Sequence, residues 1–486
     1  MKPSQPRSTP GSTPQIPPRK RLVRTTILAA SALLLAGFLA LDSSADKNES
    51  PSAAAVDPNS QQAVGLILSL LSGDRDVEKQ AFDLLEQQWQ PSFVPMLLEI
   101  LHLSRDPIIH SRVIGRLERA TRQKKGSDID DWYEWLWSQE AVDHPDYANF
   151  KAAIYGLIDP RFRDYFSNDR TAKIRLDEVR WGGVVQDGIP PLRQPKMLAA
   201  GDADYLADSN VVFGLEVNGD ARAYPKRILA WHEMFVDTVG GVPVAGVYCT
   251  LCGTMILYET VHDGVAHELG TSGFLYRSNK LMYDRRTQSL WNTIWGTPVI
   301  GPLAEQDIAL ERRSVVTTTW GEWRRRHPDT QVLSLDTGHQ RDYGEGVAYR
   351  AYFATDELMF TVPDVDRRLR NKAEVLALIF DDHPDQPLAI SAKFLKKNPL
   401  HHEQVGEVPF VVLTDRSGAN RVFATGGRRF ASWDQDRIAV DEEGVRWTMD
   451  EDQLTAADGA TLARLPGHRA FWFGWYSAYP ETRLVR

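Results

Sequence analysis

Cys249 and Cys252 are the residues whose type and spacing point most directly to chemistry, and the chain has no other cysteine. Cysteines scattered through a core would not be expected to fall three positions apart. A pair at this spacing forms a disulfide, acts as a redox dithiol or supplies two thiolates to a metal. The sequence by itself leaves these three outcomes open.

The residues that follow the pair favour a metal over thioredoxin-type chemistry. In a thioredoxin-type site the first cysteine lies at a helix N-terminus, where the helix dipole lowers the thiol pKa. Here residues 254–258 (TMILY) are typical of a strand. Two cysteines followed by Gly253 between strands are typical of a metal-binding knuckle, in which glycine lets backbone amides turn toward the sulfurs.

A closed tetrahedral site needs two further ligands. His232 precedes the strand that leads to the cysteines and is the expected third ligand, and His402 is the expected fourth. Two thiolates with imidazole suit zinc or Cu(I), and a thioether ligand would favour Cu(I). Alternative ligands are His262, His267, His401 and Met282.

A second group of residues has the types that line a substrate pocket or hold metal ligands in place. For residues 282–291 the alternative is a β-turn held by hydrogen bonds among Asp284, Arg285 and Thr287. The chain has no glycine-rich phosphate loop, no His-Glu-x-x-His and no Gly-x-Ser-x-Gly, so no catalytic residue is assigned. The group consists of Glu233, Tyr276, Met282, Tyr283, Asp284, Arg285 and Trp291.

Short β runs separated by turn residues position these groups. Asn-Gly-Asp, Gly-Gly and His-Asp-Gly stand between apolar runs of strand length. They predict three hairpins, over residues 211–224, 235–248 and 253–269. We therefore expect a predominantly antiparallel β domain over residues 181–486.

This β-rich region contains an internal duplication. The Trp-x-x-Trp segments at 320–323 and 472–475 are each followed at the same spacing by Pro, an acidic residue and Thr. Two related halves, about residues 181–335 and 360–486, are expected to pack against each other, and sites form readily at such interfaces. The alignment pairs Cys249 with Asp415, Cys252 with Gly418 and His232 with His402.

The preceding residues predict export and a helical unit. Residues 1–24 carry Lys and Arg but no acid, and residues 25–41 (TTILAASALLLAGFLAL) carry no charge. This layout is typical of a signal peptide or a membrane anchor, and both place the rest of the chain on the periplasmic side of the cell envelope. Residues 42–60 form a polar linker, residues 61–140 a HEAT-like helical unit, and residues 141–180 a connecting segment. The expected fold class is α+β, with this small helical unit before the two-half β domain.

The charge balance narrows the partners and the function. With a formal net charge of −9 and no basic stripe, nucleic acid is not expected. The expected partners are the membrane, through an uncleaved N-terminal segment, and a protein bound by the helical unit. The leading hypothesis is an exported envelope protein that binds zinc or copper at the cysteine site. The alternatives are a metal-free thiol–disulfide oxidoreductase and a non-enzymatic interaction scaffold with a structural disulfide.

The motifs around the cysteines resemble those of the DUF3179 family, a bacterial and archaeal domain of unknown function. The matching segments are YCxxCGT from Tyr248, SGxLYxS from Ser272, MYDRxTxSLW from Met282 and a following GPL. Further WxxW, HPxT and RDYG segments extend the likeness over about residues 180–486. The family usually has proline after the first cysteine, where this chain has Thr250. The resemblance implies an envelope location and a shared site, and it brings no established reaction.

Overall fold

A computed structural model describes residues 58–486 of the chain. It divides into two compact units, one ending at Gln90 and the other running from Pro91 to Arg486. The predicted basic tail, the apolar run and the linker up to residue 57 lie outside the described residues. Across residues 58–486, no helix is long and apolar enough to cross a membrane.

The first unit consists, as far as it is described, of two helices. α1 (Pro58–Leu68) continues into a 3-10 turn, and α2 follows (Arg75–Gln87). Asp74 fixes the start of α2, because its side chain accepts hydrogen bonds from two backbone N–H groups of the first turn. Ala81 and Leu85, one turn apart, are buried on the same face of α2.

Helices also open the second unit. Asp106 and Asp128 cap two of them in the manner of Asp74. Among these helices the buried Lys151 ammonium contacts the Glu99 carboxylate and donates to the carbonyl of Val179, the first residue of the β region. The predicted N-terminal helical region is confirmed, and its likeness to HEAT repeats stays a prediction. The helices are α3 (Phe93–Leu103), α4 (Pro107–Thr121), α5 (Ile129–Trp137) and α6 (Tyr147–Gly156).

The first half of the β domain follows these helices. Its elements are β1 (Val179–Trp181), β2 (Leu192–Arg193), β3 (Met197–Ala199), β4 (Val211–Val217), β5 (Asp220–Pro225), α7 (Lys226–His232), β6 (Met234–Val239), β7 (Val242–Cys249), β8 (Thr254–Glu259), β9 (Val261–His262), β10 (Val265–Ala266), β11 (Leu269–Tyr276), β12 (Asn279–Asp284), β13 (Leu290–Asn292), β14 (Thr297–Ile300), β15 (Arg312–Arg313), β16 (Val316–Thr319), α8 (Trp320–Arg326) and β17 (Gln331–Leu333). The sheets have the orders β16-β4-β5-β17-β3, β15-β8-β7-β6-β2 and β1-β11-β12-β13-β14, with β9 and β10 as a separate pair.

The second half has two sheets, with orders β28-β18-β19-β29 and β20-β21-β22-β27-β26-β25-β24-β23. Its elements, after the helical turn α9 (Arg350–Phe353), are β18 (Glu374–Phe380), β19 (His383–Ser391), α10 (Ala392–Lys397), β20 (Leu400–Val405), β21 (Val408–Thr414), β22 (Asn420–Ala424), β23 (Phe430–Trp433), β24 (Ile438–Asp441), β25 (Arg446–Met449), β26 (Gln453–Ala456), β27 (Thr461–Leu465), β28 (His468–Phe471), α11 (Trp472–Ala478) and β29 (Arg483–Val485).

The two halves share their strand order. The strand order β16-β4-β5-β17 in the first half corresponds to the order β28-β18-β19-β29 in the second. In both sets of four strands, the first two pairs are antiparallel and the last pair is parallel. The register of the parallel strand pair also repeats. Arg222 faces Gln331 in β5–β17, and at the equivalent positions Leu388 faces Arg483 in β19–β29. In each half a helix then leads into an antiparallel meander, β6-β7-β8 or β20-β21-β22. The α+β, largely antiparallel fold of two related halves is confirmed.

The third predicted hairpin, over residues 253–269, is wrong in its pairing. β8 pairs with β7 and β15, whereas β11 pairs with β1 and β12. Between them only the two-residue strands β9 and β10 form a hairpin, across Asp263-Gly264. The turn signal was therefore identified correctly. The apolar run after it joins another sheet, because its buried side chains pack there.

Candidate functional site

The two cysteines are joined by a disulfide in the turn between β7 and β8. Cys249 is the last residue of β7 and lies opposite Thr254, and Gly253 takes a left-handed conformation with φ of 59°. Glycine adopts this conformation without a steric penalty, which lets the turn bring the two cysteines to a Cα–Cα distance of 5.4 Å. Cys249 is 2% exposed and Cys252 0% exposed, so no sulfur is freely accessible.

A segment between the two halves, which begins with the helical turn α9, covers the disulfide. Residues 349–362, here called the strap, contribute Tyr352 and Val362 to the apolar cluster that contains both cysteines. The Tyr352 hydroxyl donates to the carbonyl of Leu251, inside the disulfide turn, at 2.7 Å. Phe353 and other partly buried strap residues pack on the same cluster. The strap is therefore bound to the disulfide turn by apolar contacts and one hydrogen bond.

The second half supplies another wall of the disulfide environment. The backbone N–H of Phe471 donates to the Cys252 carbonyl at 2.7 Å. Gly474 in α11 lies so close that a Cβ atom added there would be 2.5 Å from the Cβ of Cys252. The Asn279 side-chain amide donates to the Gly474 carbonyl at 3.1 Å. The disulfide turn of the first half is thus packed against the helix of the second half.

A buried ion pair lies beside the disulfide environment. Lys280 Nζ is 3.3 Å from Glu233 Oε2 and donates to the Glu233 carbonyl at 3.3 Å, and the two side chains are 5% and 9% exposed. Burial lowers the pKa of Lys280, although the Glu233 carboxylate opposes this shift. The Tyr349 hydroxyl donates to Glu233 Oε1 at 3.2 Å, and the Glu233 charge followed by burial raises the Tyr349 pKa.

Backbone contacts connect this ion pair to both cysteines. The N–H of Tyr248, next to Cys249, donates to the Glu233 carbonyl at 2.8 Å. Ser278, two residues before Lys280, has its carbonyl oxygen 3.8 Å from Cys252 Sγ. Tyr349 also packs against the apolar cluster of the disulfide. The ion pair and the disulfide therefore share one structural neighbourhood.

Two of these positions adopt unusual backbone conformations. Glu233 and Tyr349 have φ of 56° and 55°, in the left-handed region that residues other than glycine rarely occupy. Such conformations cost about 1–3 kcal/mol and concentrate at functional sites. Their joint occurrence at a hydrogen-bonded pair indicates that the surrounding structure holds the Glu233 carboxylate in place.

His232, the expected third ligand, is engaged elsewhere. Its Nδ1–H donates to the Pro190 carbonyl at 2.9 Å, so Nε2 is left to accept from the Tyr343 hydroxyl at 2.6 Å. The Tyr343 oxygen is also 2.6 Å from the Thr337 hydroxyl oxygen. Burial lowers the pKa of His232 to about 4, which keeps the ring neutral.

His402, the expected fourth ligand, lies in β20, and its Nε2 accepts from the backbone N–H of Phe430 at 2.8 Å. Its alignment with His232 is wrong. His402 faces Val411 in the β20–β21 pair. The equivalent position in the β6–β7 pair is Val236, which faces Ala245. His232 instead ends a helix, and the shared residue type misaligned a helix end with a strand.

The four predicted ligands do not converge in this disulfide-bonded structure. Within residues 58–486 no three His, Cys, Asp or Glu side chains are arranged to hold a metal ion. The alternative ligands are also dispersed: His262 lies near Asp263, His267 near Asp284 and His401 near Glu403, while Met282 is in an apolar core. A zinc or copper site stays a prediction for the reduced protein, in which the two thiolates are free.

The residues of the second predicted group occupy different surroundings. Asp284 Oδ1 accepts from the backbone N–H groups of Arg286 and Thr287, so this carboxylate stabilises a β-turn. Arg285 pairs with Glu268 at the surface instead of joining that turn. The remaining members are dispersed: Tyr283 donates to Asp187, Tyr276 packs on Trp295, and Met282 and Trp291 are core residues, while Glu233 alone belongs to the ion pair.

Sequence reasoning missed Lys280 and Tyr349. Lys280 stands in the strand NKLMYD, and a lysine directly before the apolar residues Leu281 and Met282 is the signal that was available. A buried lysine needs a partner, so this pattern predicts a buried carboxylate nearby. Tyr349 carried no signal, since it meets Glu233 across 116 residues of chain.

The comparisons with known proteins give one match. A family described as "Protein of unknown function (DUF3179)" matches residues 186–482, which is more than half of the chain. Neither the search of curated proteins nor that of solved structures found a match. The matched range includes the disulfide, the ion pair and the strap.

Proposed function

The chain belongs to the DUF3179 family, as its motifs predicted, and we propose that its Cys249–Cys252 disulfide is a redox centre that oxidises thiols. The observation that carries the proposal is the buried Glu233–Lys280 pair, which backbone contacts of Tyr248 and Ser278 connect to the two ends of the disulfide. A disulfide that only staples a turn does not require titratable groups beside it. Thiol exchange moves protons in every cycle, and a thiolate formed at a buried sulfur such as Cys252 is stabilised by a nearby proton donor.

The reaction transfers two electrons and two protons from a dithiol to the disulfide. A substrate thiolate attacks Sγ of Cys249, the Cys249–Cys252 bond breaks, and the Cys252 thiolate takes a proton from the Glu233–Lys280 pair. The second substrate thiol returns a proton to this pair and attacks the mixed disulfide. Cys249 leaves as a thiolate, which is protonated from solvent, so the substrate gains a disulfide and the chain holds two thiols.

Cys249 is the sulfur assigned to the attack because Cys252 is enclosed by Gly474 and the Ser278 carbonyl. Both sulfurs are covered in the closed structure, so the substrate must first displace the strap. This movement breaks several interactions, among them the hydrogen bonds of Tyr349 with Glu233, of Tyr352 with Leu251 and of Asp356 with the backbone of Lys372. Exchange is therefore expected to be slow unless a partner binds the strap.

The proposal includes an extracytoplasmic location. Stable disulfides form in oxidising compartments, which agrees with the export pattern of residues 1–41. Protease added to spheroplasts should digest the chain beyond residue 60. Protection of that region in intact spheroplasts, with digestion after lysis, would contradict this location.

The test is a redox titration of the folded, tag-free protein in glutathione buffers, with thiols counted by alkylation and mass shift. A redox centre should titrate at a potential above about −300 mV, within reach of glutathione. Lys280→Met should slow reduction by about 100-fold if the pair supplies the proton, at the lower end of the range of general acid–base catalysis. Phe353→Ala should speed reduction, because it loosens the strap.

Lys196→Met is the control, since it removes an exposed lysine whose partner is Asp336 at the surface. It should react as the wild type does. A potential well below −300 mV with no effect of Phe353→Ala would leave a structural disulfide instead. Stoichiometric zinc in the reduced protein, absent from a Cys249→Ser, Cys252→Ser variant, would favour the metal hypothesis.

A further inference from the structure

A small pocket lies between the two halves, away from the disulfide. Its walls come from β8 and β15 of the first half and from β18 and the start of β28 in the second half. Apolar side chains, among them Ile256 and Ala377, form part of the lining. The polar groups are basic: Arg312, Arg313 and His468. The lining includes no acidic side chain among the described residues.

Two buried nitrogen atoms of this lining have no hydrogen-bond partner among the described residues. They are Nε of Arg312 and Nε2 of His468. His468 is 5% exposed, so its ring is not satisfied by bulk water. A buried nitrogen left without a partner costs about 1–3 kcal/mol, so two in one pocket indicate a common missing partner.

The surrounding charges show what kind of partner fits. Arg313 is already paired with Glu259 and Glu311 at the surface. Arg312 donates to two backbone carbonyls, and its only ion-pair partner among the described residues is Asp381, whose side chain is 90% exposed. On its buried side the Arg312 guanidinium therefore meets backbone carbonyls and the Tyr258 hydroxyl, but no carboxylate among the described residues.

The state of His468 agrees with this arrangement. Burial, with the nearby Arg312 charge, lowers its pKa to about 3, so the ring is neutral. A neutral ring protonated at Nε2 presents one donor, and Arg312 Nε–H presents another. A negatively charged species that accepts hydrogen bonds from Arg312 Nε and His468 Nε2 satisfies both donors and lies against the Arg312 charge.

We propose that this pocket binds a small inorganic anion between Arg312 and His468. Its volume of about 10 Å³ is at the lower limit for one water-sized species, so a monatomic anion such as a halide is the candidate, and phosphate or a carboxylate ligand is too large. The anion contacts both halves, since Arg312 belongs to β15 and His468 to β28. It therefore acts as a non-covalent clamp across the interface.

The direct test uses bromide, whose anomalous scattering distinguishes it from water. Crystals of the folded protein grown in sodium bromide should show an anomalous peak within hydrogen-bond distance of Arg312 Nε and His468 Nε2. In parallel, Tm is measured in sodium chloride and in sodium gluconate at equal ionic strength. Tm should rise by about 2 °C for each tenfold increase in chloride above the Kd, and gluconate should have no such effect.

Arg312→Met and His468→Leu each remove one donor and should abolish both the peak and the chloride effect. Arg313→Met is the matched control, because it removes a neighbouring charge whose donors are already paired, and it should keep both signals. A water molecule at the site in bromide crystals would overturn the proposal. A bromide peak without a chloride-dependent Tm would mean binding at crystal concentration only and would also overturn it.

Discussion

At the scale of single residues, the two halves use the same turn for different interactions. Cys249 ends β7 and Asp415 directly follows β21, and the strand registers show that the two positions are equivalent. The second turn is one residue shorter, so Cys252 has no unambiguous counterpart. Asp415 Oδ2 lies 2.9 Å from the guanidinium of buried Arg421. One turn is closed by a covalent bond and the other by an ion pair.

Gly474 provides the first prediction, because the disulfide requires its missing side chain. Gly474→Ala should destabilise the protein by about 1–3 kcal/mol, since the added Cβ would overlap Cys252. Ala is otherwise favoured over Gly inside a helix by about 0.5–1 kcal/mol, so a stabilising result would show that α11 is not packed on the disulfide. Urea unfolding measures the difference. Gly201→Ala, at an exposed position with open space, is the control.

The Glu233–Lys280 pair provides the second prediction. Lys280→Met or Glu233→Gln alone should cost about 3–5 kcal/mol, because each leaves a buried group without its partner. The double variant should cost less than the sum of the single ones, with a coupling of at least about 1 kcal/mol. Equilibrium unfolding of the four proteins measures this coupling. Additive effects would mean that the two charges do not interact.

At the scale of elements, the two Trp-x-x-Trp helices are held by the same hydrogen-bond relay. In α8, Trp323 Nε1 donates to the Thr330 hydroxyl, which donates to the Ala221 carbonyl. In α11, Trp475 donates to Thr482, and this hydroxyl donates to the carbonyl of Pro387. Each relay fastens its helix to the strand that precedes the helix–meander connection. The spacing between the second tryptophan and the threonine is the same in both halves because the relay requires the indole N–H to reach the threonine hydroxyl.

Thr330→Val and Thr482→Val should therefore have similar effects. Each removes a hydroxyl and leaves a buried tryptophan N–H unpaired, at a cost of about 1–3 kcal/mol. Thermal and urea unfolding measure both variants. Thr238→Val, on an exposed strand position, should stay within about 0.5 kcal/mol of the wild type. If only one of the two buried variants is destabilised, the relays are not equivalent.

At the scale of the whole β domain, each half packs a turn against a helical segment of the other. The disulfide turn contacts β28 and α11, and the turn after Asp415 reaches the first half through a Ser417–Thr318 hydroxyl contact of 3.0 Å. Arg326, at the end of α8, lies 3.6 Å from Asp415. The interface is therefore reciprocal, with the disulfide on one side and buried ions on the other.

His327 makes the ionic side of this interface sensitive to pH. Its Nδ1 is 3.1 Å from Glu216 of the first half, and its Nε2 is 3.5 Å from Glu451 of the second. Burial lowers the pKa of His327, but these two carboxylates outweigh burial and raise the pKa above its usual value. A histidine whose pKa is higher in the folded than in the unfolded protein stabilises the fold when it is protonated. This stability is fully present below the pKa of the unfolded state, about 6.5, and is lost as the pH rises through the pKa of the folded state.

Urea unfolding between pH 5.5 and 8.5 should therefore show stability falling toward the alkaline end. His327→Gln should flatten this part of the pH profile, because its side chain does not titrate. His262→Gln, in the short β9–β10 hairpin, is the histidine control and should leave the slope unchanged. An unchanged slope in His327→Gln would show that other groups set the pH dependence.

Local sequence patterns determined much of this protein's structure. The alternation of apolar residues and the Asn-Gly and Gly-Gly turns defined the β4–β5 and β6–β7 hairpins, because strand period and turn chemistry are local properties. The Trp-x-x-Trp repeat showed the duplication for the same reason. The Cys-x-x-Cys spacing predicted that a disulfide could join the two cysteines, since side chains three residues apart lie close together in a tight turn.

Tertiary structure alone decided what surrounds those thiols. Lys280 meets Glu233, and Tyr349 meets the same carboxylate, across stretches of chain that no local pattern connects. His232 was assigned to the sulfurs because of its place before β6, but its ring nitrogens bond Pro190 and Tyr343. Which residues a side chain contacts depends on how the sheets and the two halves pack. That packing results from many weak contacts between distant parts of the chain, so no local sequence pattern specifies it.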